Sequence, residues 1–205
     1  MFRPVRLVQR LKAKCSRQSK TTKTHRGLRG RVESGRSGGG NTYGYAVVRR
    51  MDADGQPVTG EREIDPVQAT VVTRIFQAYA DGRSPKRIAL DLNACSVSGP
   101  RGGAWSSSTI NGNSTRGTGI LNNELYIGRL VWNRLTYVKD PDTGRRCSRP
   151  RAADEQVVTE VPELRVIDDA LWQAVKARQA ALRHDLGESD QTSTAPSAPR
   201  PFWSK

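Results

Sequence analysis

Cysteine, histidine and aromatic residues are all scarce in this 205-residue chain, and each scarcity closes off a class of chemistry. Cys15, Cys95 and Cys147 are far apart and odd in number, with no Cys-x-x-Cys pair among them. They provide neither a disulfide framework nor a zinc site, and they suit a reducing, cytosolic setting. The two histidines, His25 and His184, stand in polar contexts. No metal and no cofactor is expected. Serine is plentiful, but Ser106, Ser107 and Ser108 have no motif-placed His or Lys to act as a base. A Gly-x-Ser-x-Gly elbow and a phosphate-binding loop are also missing. No catalytic residue is assigned, and no small-molecule ligand is expected. Long apolar runs are absent too, so no stretch approaches the roughly 20 residues of a membrane span. Met1 to Arg10 carries charge without an apolar core behind it, which excludes a secretion signal. No membrane partner is expected.

Acidic residues are few where basic ones are many. The net charge is +14, and residues 1–50 hold 14 Lys/Arg against one acid, Glu33. Residues 51–81 are mildly acidic, 82–151 are basic again with 12 against 4, and 152–205 are mildly acidic. Two basic zones separated by counter-charged scaffold suggest two contact surfaces for a polyanion. The basic zones lack an interleaved aromatic or leucine face, which argues against an anionic membrane. A hydrophobic content of 35%, with 19 Gly and 11 Pro, points to a modest core and many loops.

What is present is a set of helix starts. Asp65-Pro66 opens the strongest helix, with Val67, Val71, Ile75 and Tyr79 on one face, Val72 and Phe76 beside them, and Gly82 as its stop. Ser84-Pro85 opens a second, because the hydroxyl caps free N–H groups and proline at the first position loses nothing. Ile88 and Leu92 give it an apolar face. Trp105-Ser106 opens a third, with Trp105 in staple spacing to Ile110. Asn111-Gly112-Asn113, Gly117 and Gly119 then limit this helix to a turn or two, or mark a place where the backbone needs space. The second and third helices, joined by a turn from Gly99 to Gly103, read as a helix-turn-helix.

The remaining signals are weaker. Residues 1–22 read as disordered or a frayed helix, and 23–40 as a brief helical turn dissolving into a flexible Arg/Gly linker. Tyr43 to Arg49 reads as a strand, returned at Asp54-Gly55 toward Arg62-Glu63-Ile64. Asn123 caps a short helix through Tyr126. Leu130 to Trp132 and Leu135 to Val138 read as a strand, Asp140 to Gly144 as a turn, and Gln156 to Val161 as the returning strand. Asp168 caps the last helix, with Ile167 and Trp172 as a staple and Leu171, Val175, Arg178 and Leu182 as its seam. From Gly187 the polar composition reads as disorder. The fold class is α+β: a mostly helical DNA-binding domain with a helix-turn-helix-like core and short β-hairpins, a disordered basic N-terminus and a polar C-terminal tail. The boundaries are 1–23 basic segment, 24–42 basic Gly-rich linker, 43–183 DNA-binding domain and 184–205 tail.

The order and spacing of these words resemble a known family. Gly82-Arg-Ser-Pro-Lys-Arg-Ile-Ala, then Pro100-Arg-Gly-Gly-Ala-Trp-Ser-Ser-Ser-Thr-Ile and Gly119-Ile-Leu-Asn-Asn-Glu-Leu-Tyr-Ile-Gly-Arg-Leu-Val-Trp-Asn-Arg, look like the "recombinase" DNA-binding domain of large serine recombinases. Thr24-His25-Arg26-Gly27-Leu28-Arg29-Gly30-Arg31, followed by Ser37-Gly38-Gly39 and Tyr43-Gly44-Tyr45, extends the likeness over 24–182. In that family such an opening ends the long helix leaving the catalytic domain. The nucleophilic serine lies in that preceding domain, and a zinc ribbon and coiled coil usually follow. The resemblance implies an internal piece of a recombinase, truncated at both ends. It implies recognition of an attachment-type site in DNA integration by a mobile element, with double-stranded DNA and other recombinase subunits as partners, in the cytoplasm at the nucleoid. Two rivals stay open. One is an active recombinase whose catalytic serine comes from a partner chain; the other is a basic regulator or RNA-binding protein.

Two residue sets are expected at the DNA. Arg26, Arg29, Arg31 and Arg36 would meet phosphates and a minor groove. Lys86, Arg87, Arg101, Ser106, Ser107, Ser108, Thr109, Asn111 and Arg116 surround the reading helix, where Arg101 is suited to guanine. Arg134, Arg145 and Arg146 are further candidates. Trp105, Trp132 and Trp172 are expected in the core.

Overall fold

The computed structural model describes residues 22–192; the expectations of disorder for 1–21 and 193–205 lie outside them. The chain is α+β, as expected. A first helix, α1, covers residues 22–33, where a brief turn and a flexible linker were expected. It persists because one side is anchored. Val32 is fully buried, Leu28 is half-buried, and the His25 ring lies 4.7 Å from that of Trp132. These positions share one helical face. Gly38 has room for no side chain, since a Cβ would stand 2.8 Å from the Trp132 indole and 2.9 Å from Val32. The segment after α1 is tied down as well. The Ser37 N–H donates to the Gly60 carbonyl at 2.7 Å, and the Arg62 guanidinium donates to Ser37 Oγ and the Gly40 carbonyl.

Among the described residues, eight short strands form four two-stranded antiparallel ladders. β1 (Tyr45–Val47) pairs with β4 (Arg62–Ile64), and the inner β2 (Arg50–Met51) pairs with β3 (Pro57–Val58). The return expected at Asp54-Gly55 is present, with the Asp52 carboxylate accepting from the N–H groups of Asp54 and Gln56. Later, β5 (Arg129–Trp132) pairs with β8 (Val157–Glu160), and β6 (Leu135–Lys139) pairs with β7 (Arg146–Pro150). The sequence reading joined β5 and β6 and missed β7. Asn133, at φ +64, breaks the run and sends the two strands into separate ladders. Thus 156–161 returns to β5, while β7 closes a hairpin of its own.

The helices obey their start signals. α2 (Pro66–Ala80) is capped by Asp65, whose carboxylate accepts from the N–H groups of Val67 and Gln68. α3 (Pro85–Ala94) is capped by Ser84, which accepts from the Arg87 N–H at 3.2 Å. Such caps stabilise a helix by about 1 kcal/mol each. α4 (Ser107–Asn111) is capped by Ser106 accepting from the Thr109 N–H. α5 (Asp169–Thr192) begins after Asp168, which accepts from the Leu171 N–H at 2.7 Å, and extends well past position 183, where the tail was placed. Asn123 caps a 3-10 turn, Glu124–Ile127.

The core gathers Tyr45, Val72, Ile75, Phe76, Tyr79, Ile88, Leu92, Trp105, Ile110, Leu121, Tyr126, Trp172 and Val175. Each such side chain, fully buried, stabilises by about 1.5–3 kcal/mol. Aromatic contacts tie the elements together: Tyr45 stacks on Tyr126 at 5.9 Å and Phe76 on Trp172 at 5.8 Å. Two expected faces are displaced. Val67, in the first turn, is exposed at a groove that Gln68 and Val71 also line. On α5 the inward residues are Trp172, Val175 and Gln179, while Leu182 is exposed. Arg178 turns to the end of α2 and donates to the carbonyls of Tyr79, Gly82 and Arg83. These carbonyls lie at and just past the C-terminal end of α2, where the helix dipole favours a cation. Trp105 and Trp172 are core, as expected; Trp132 is half-buried against α1.

Candidate nucleic-acid interface

α3 and α4 pack against one another across the Gly99–Gly103 turn, which the Gly99 N–H closes by donating to the Gly103 carbonyl at 2.8 Å and which side-chain hydrogen bonds of Asn93 and Trp105 flank. The Asn93 amide donates to the Trp105 carbonyl at 2.9 Å and accepts from the Trp105 N–H at 2.8 Å. The Trp105 indole N–H donates to the Val97 carbonyl at 3.0 Å. Buried Trp105 and Ile110 dock α4 on Ile88, Ala89 and Leu92 of α3 within the common core. Asn93 was missed in the sequence reading, because a lone polar residue near a helix end carries no signal of a partner twelve positions away.

The outer surface of this unit is polar and basic. Lys86, Arg101, Arg116, Ser107 and Asn111 are all exposed. Arg101 sits at the corner of the turn, with φ +60. The hydroxyls of Ser106, Ser108 and Thr109 bond one another, Ser106 Oγ lying 3.0 Å from Ser108 Oγ and 2.8 Å from Thr109 Oγ1. Arg101 and Thr109 also line a groove of about 920 Å³ with Asn41, Thr42, Gln68 and Val97. On α1, Arg26 and Arg29 are exposed, Arg26 pointing away from the Val32 side and Arg29 flanking it. The loop before β1 reaches the turn through Tyr43, whose hydroxyl donates to the Ser98 carbonyl at 3.1 Å and whose ring meets Trp105 edge-on at 5.0 Å.

Ion pairing divides the expected contact residues. Arg29 pairs with Glu33, Arg36 with Glu61, and Arg87 with Asp91. Arg134 is half-buried, 2.7 Å from Glu124, and donates to the Gly117 carbonyl, so it braces the loop after α4. Among the described residues, no carboxylate lies within ion-pair distance of Arg26, Arg31, Lys86, Arg101 or Arg116. A cation left without a protein carboxylate remains available to a phosphate.

A second polar cluster lies under the loop after α4. Lys176 Nζ donates to the Leu121 carbonyl, Asn122 Oδ1 and Gln179 Oε1 at 2.8–3.0 Å and stands 4.5 Å from the Trp172 ring centroid. Burial pulls its pKa down to about 8, against the opposing pull of Glu124, with Arg183 and Arg134 adding to the depression. Between that value and the ordinary 10.5 the unfolded chain binds more protons than the folded one. The contribution of Lys176 to stability therefore improves as pH rises through this window. We expect the unfolding free energy of the wild type, relative to Lys176→Met, to grow between about pH 7.5 and 10. Parallel urea curves at both pH values would contradict it. The hydroxyls of Tyr45 and Tyr126 are pushed up mainly by burial; they donate to the carbonyls of Leu164 and Tyr43, both at 2.8 Å, and belong to the core.

No group of three or more His, Cys, Asp or Glu suited to a metal occurs among the described residues. Cys95 and Cys147 are free and exposed. No helix there is long and apolar enough to cross a membrane.

Residues 66–181 match the Recombinase family, a span from the first residue of α2 well into α5. The chain belongs to that family, the site-specific serine recombinases. Its business is therefore site-specific recombination. No curated protein matches the chain. The α3–turn–α4 unit, Asn93 and the Lys176 cluster all fall inside the matched span, whereas α1 and β1 to β4 precede it.

Proposed function

We propose that this recombinase chain recognises one half of an attachment-type site in duplex DNA, as its part in DNA integration by a mobile element. α3 and α4 act as a helix-turn-helix, with α4 and the loop behind it presented to the major groove. Arg101, Ser107 and Asn111 meet base edges, Lys86 and Arg116 meet phosphates, and Arg26 and Arg31 follow the backbone from α1. Strand cleavage is left to a serine outside the described residues, acting with further recombinase subunits. The observation that carries this reading is the division of ion pairs. Arg26 and Arg31 of α1 and Lys86, Arg101 and Arg116 around the α3–α4 turn have no carboxylate partner among the described residues, whereas Arg29, Arg36, Arg87 and Arg134 each have one.

A bound polyanion releases counterions, so affinity should fall steeply with salt. Competition decides between DNA and RNA. A labelled duplex bound by the full chain should be displaced by unlabelled duplex DNA of the selected site at far lower concentration than by duplex or single-stranded RNA. Equal competition by RNA would overturn the proposal in favour of a general nucleic-acid binder.

A further inference from the structure

The β6–β7 hairpin lies on the opposite side of Arg134 from the α3–α4 unit in the sequence and belongs to no larger sheet. Its strands pair from Leu135↔Pro150 to Lys139↔Arg146. Beyond its base the ribbon is bare on both faces: Tyr137, Val138 and Lys139 of β6 and Arg146 and Cys147 of β7 are all exposed. A two-stranded ribbon with no core of its own is marginal in water, so its rigidity must come from its ends. At the tip, Asp140 organises the turn. Its carboxylate accepts from the Thr143 hydroxyl at 2.6 Å and the Asp142 N–H at 3.0 Å, which holds its pKa below the usual carboxylate value. At the base, the Arg151 N–H donates to the Arg134 carbonyl at 2.8 Å, and the Asn133 amide to the Glu155 carbonyl at 2.9 Å.

The paired strands and the end of the turn carry only positive charge, the acids Asp140 and Asp142 being confined to the tip. Lys139, Arg145, Arg146 and Arg149 have no ion-pair partner among the described residues. Arg146 and Tyr137 share a face through the pairing register, and the guanidinium stands 4.9 Å from the centroid of the Tyr137 ring. Five-residue strands give a reach of about 17 Å, and a pair of strands about 5 Å apart fits a major groove about 12 Å wide. A flat partner would leave one exposed face unused; a groove contacts both.

The geometry points to the β6–β7 hairpin as a second DNA-contacting element, a basic ribbon that enters a groove of the duplex beside the segment met by α3 and α4. This inference rests on the DNA-binding reading above. The ribbon's cations meet phosphates along the groove walls, and Tyr137 supports the Arg146 guanidinium in the orientation it presents. The ribbon thereby lengthens the contacted site without adding to the helix-turn-helix itself.

The test compares the full-length wild type with Arg145→Ala/Arg146→Ala/Arg149→Ala and with Arg101→Ala/Asn111→Ala. The probe is a duplex of about 40 base pairs carrying the wild type's selected sequence, followed by salt titration and hydroxyl-radical footprinting. Unchanged far-UV circular dichroism shows that the variants are folded. The ribbon variant should bind with a salt slope flatter by about 0.9 for each phosphate it no longer neutralises, up to nearly 3. Its footprint should shrink at one end, while its sequence preference stays. If it keeps the wild-type slope and footprint while the Arg101/Asn111 variant weakens, the ribbon proposal is wrong and DNA binding stands. If the wild type binds no duplex, both readings fall. As a second check, Arg146→Glu alone should weaken binding more than Tyr137→Phe, and equal effects would count against the charge argument.

Discussion

Gly112→Ala should destabilise the protein by about 3 kcal/mol or more, combining backbone strain with overpacking. Gly112 follows α4 with φ +55 and ψ −139, a conformation essentially restricted to glycine. A Cβ there would stand 1.9 Å from the Thr118 carbonyl oxygen and 2.5 Å from the Gly119 nitrogen. Both obstacles are backbone, so no side chain can rotate aside. The loop cannot back away either, because the Asn122 amide clamps it by donating to the carbonyls of Asn111 and Thr118 at 2.6 and 2.8 Å. Gly27→Ala is the control. Its Cβ would meet nothing within 4 Å on α1, and alanine should be neutral or stabilising by up to about 1 kcal/mol. Urea denaturation of the two variants checks the pair. Similar midpoints would show that the loop after α4 is not the rigid element described above.

The second large effect concerns α1. Changing Arg26, Arg29 and Arg31 together to Ala should weaken binding to a selected site and to unrelated duplex nearly alike. It should flatten the salt slope by about 0.9 for each phosphate left without its arginine. Wild-type affinity itself should fall about a thousandfold or more between about 50 and 200 mM salt if six or more phosphates are met. Phosphate contacts position a protein without reading sequence, so the weakening should be uniform. Of the three, Arg29 should contribute least alone, since it spends part of its charge on Glu33 at 2.8 Å. Fluorescence anisotropy over a salt series decides. A weakening confined to the selected site would mean that α1 reads bases or groove shape.

Features encoded within a few residues were legible in the chain. Asp65-Pro66, Ser84-Pro85, Trp105-Ser106 and Asp168 each carry cap and first-turn chemistry locally, and each opens a helix where expected. The turn at Asp54-Gly55 was legible for the same reason. What escaped depends on distant partners. Nothing near Gly27 and Gly30 announces that α1 survives by burying Val32 and meeting Trp132, far along the chain. β7, Arg-Cys-Ser-Arg-Pro, has no apolar alternation because neither of its faces is buried. Arg178 looked like part of an apolar seam, yet it serves the far end of α2. The candidate site was legible as a set of residue types around α3 and α4. Which cations are left unpaired was not, because that depends on where carboxylates such as Glu61 and Glu124 arrive.

Selection of bound sequences from a random duplex pool tests the central claim most directly, using the wild type, Arg101→Ala/Asn111→Ala and Arg26→Ala/Arg31→Ala. The account predicts that the wild type enriches a defined half-site and that the α1 variant enriches the same one from weaker binding. The Arg101/Asn111 variant should lose discrimination at the positions it contacts, by about 1–3 kcal/mol for each bidentate base pairing removed. An α1 variant that enriches a different sequence, beside an Arg101/Asn111 variant that merely binds more weakly to the original one, would contradict the assignment of α4 and its flanking turn as the reader.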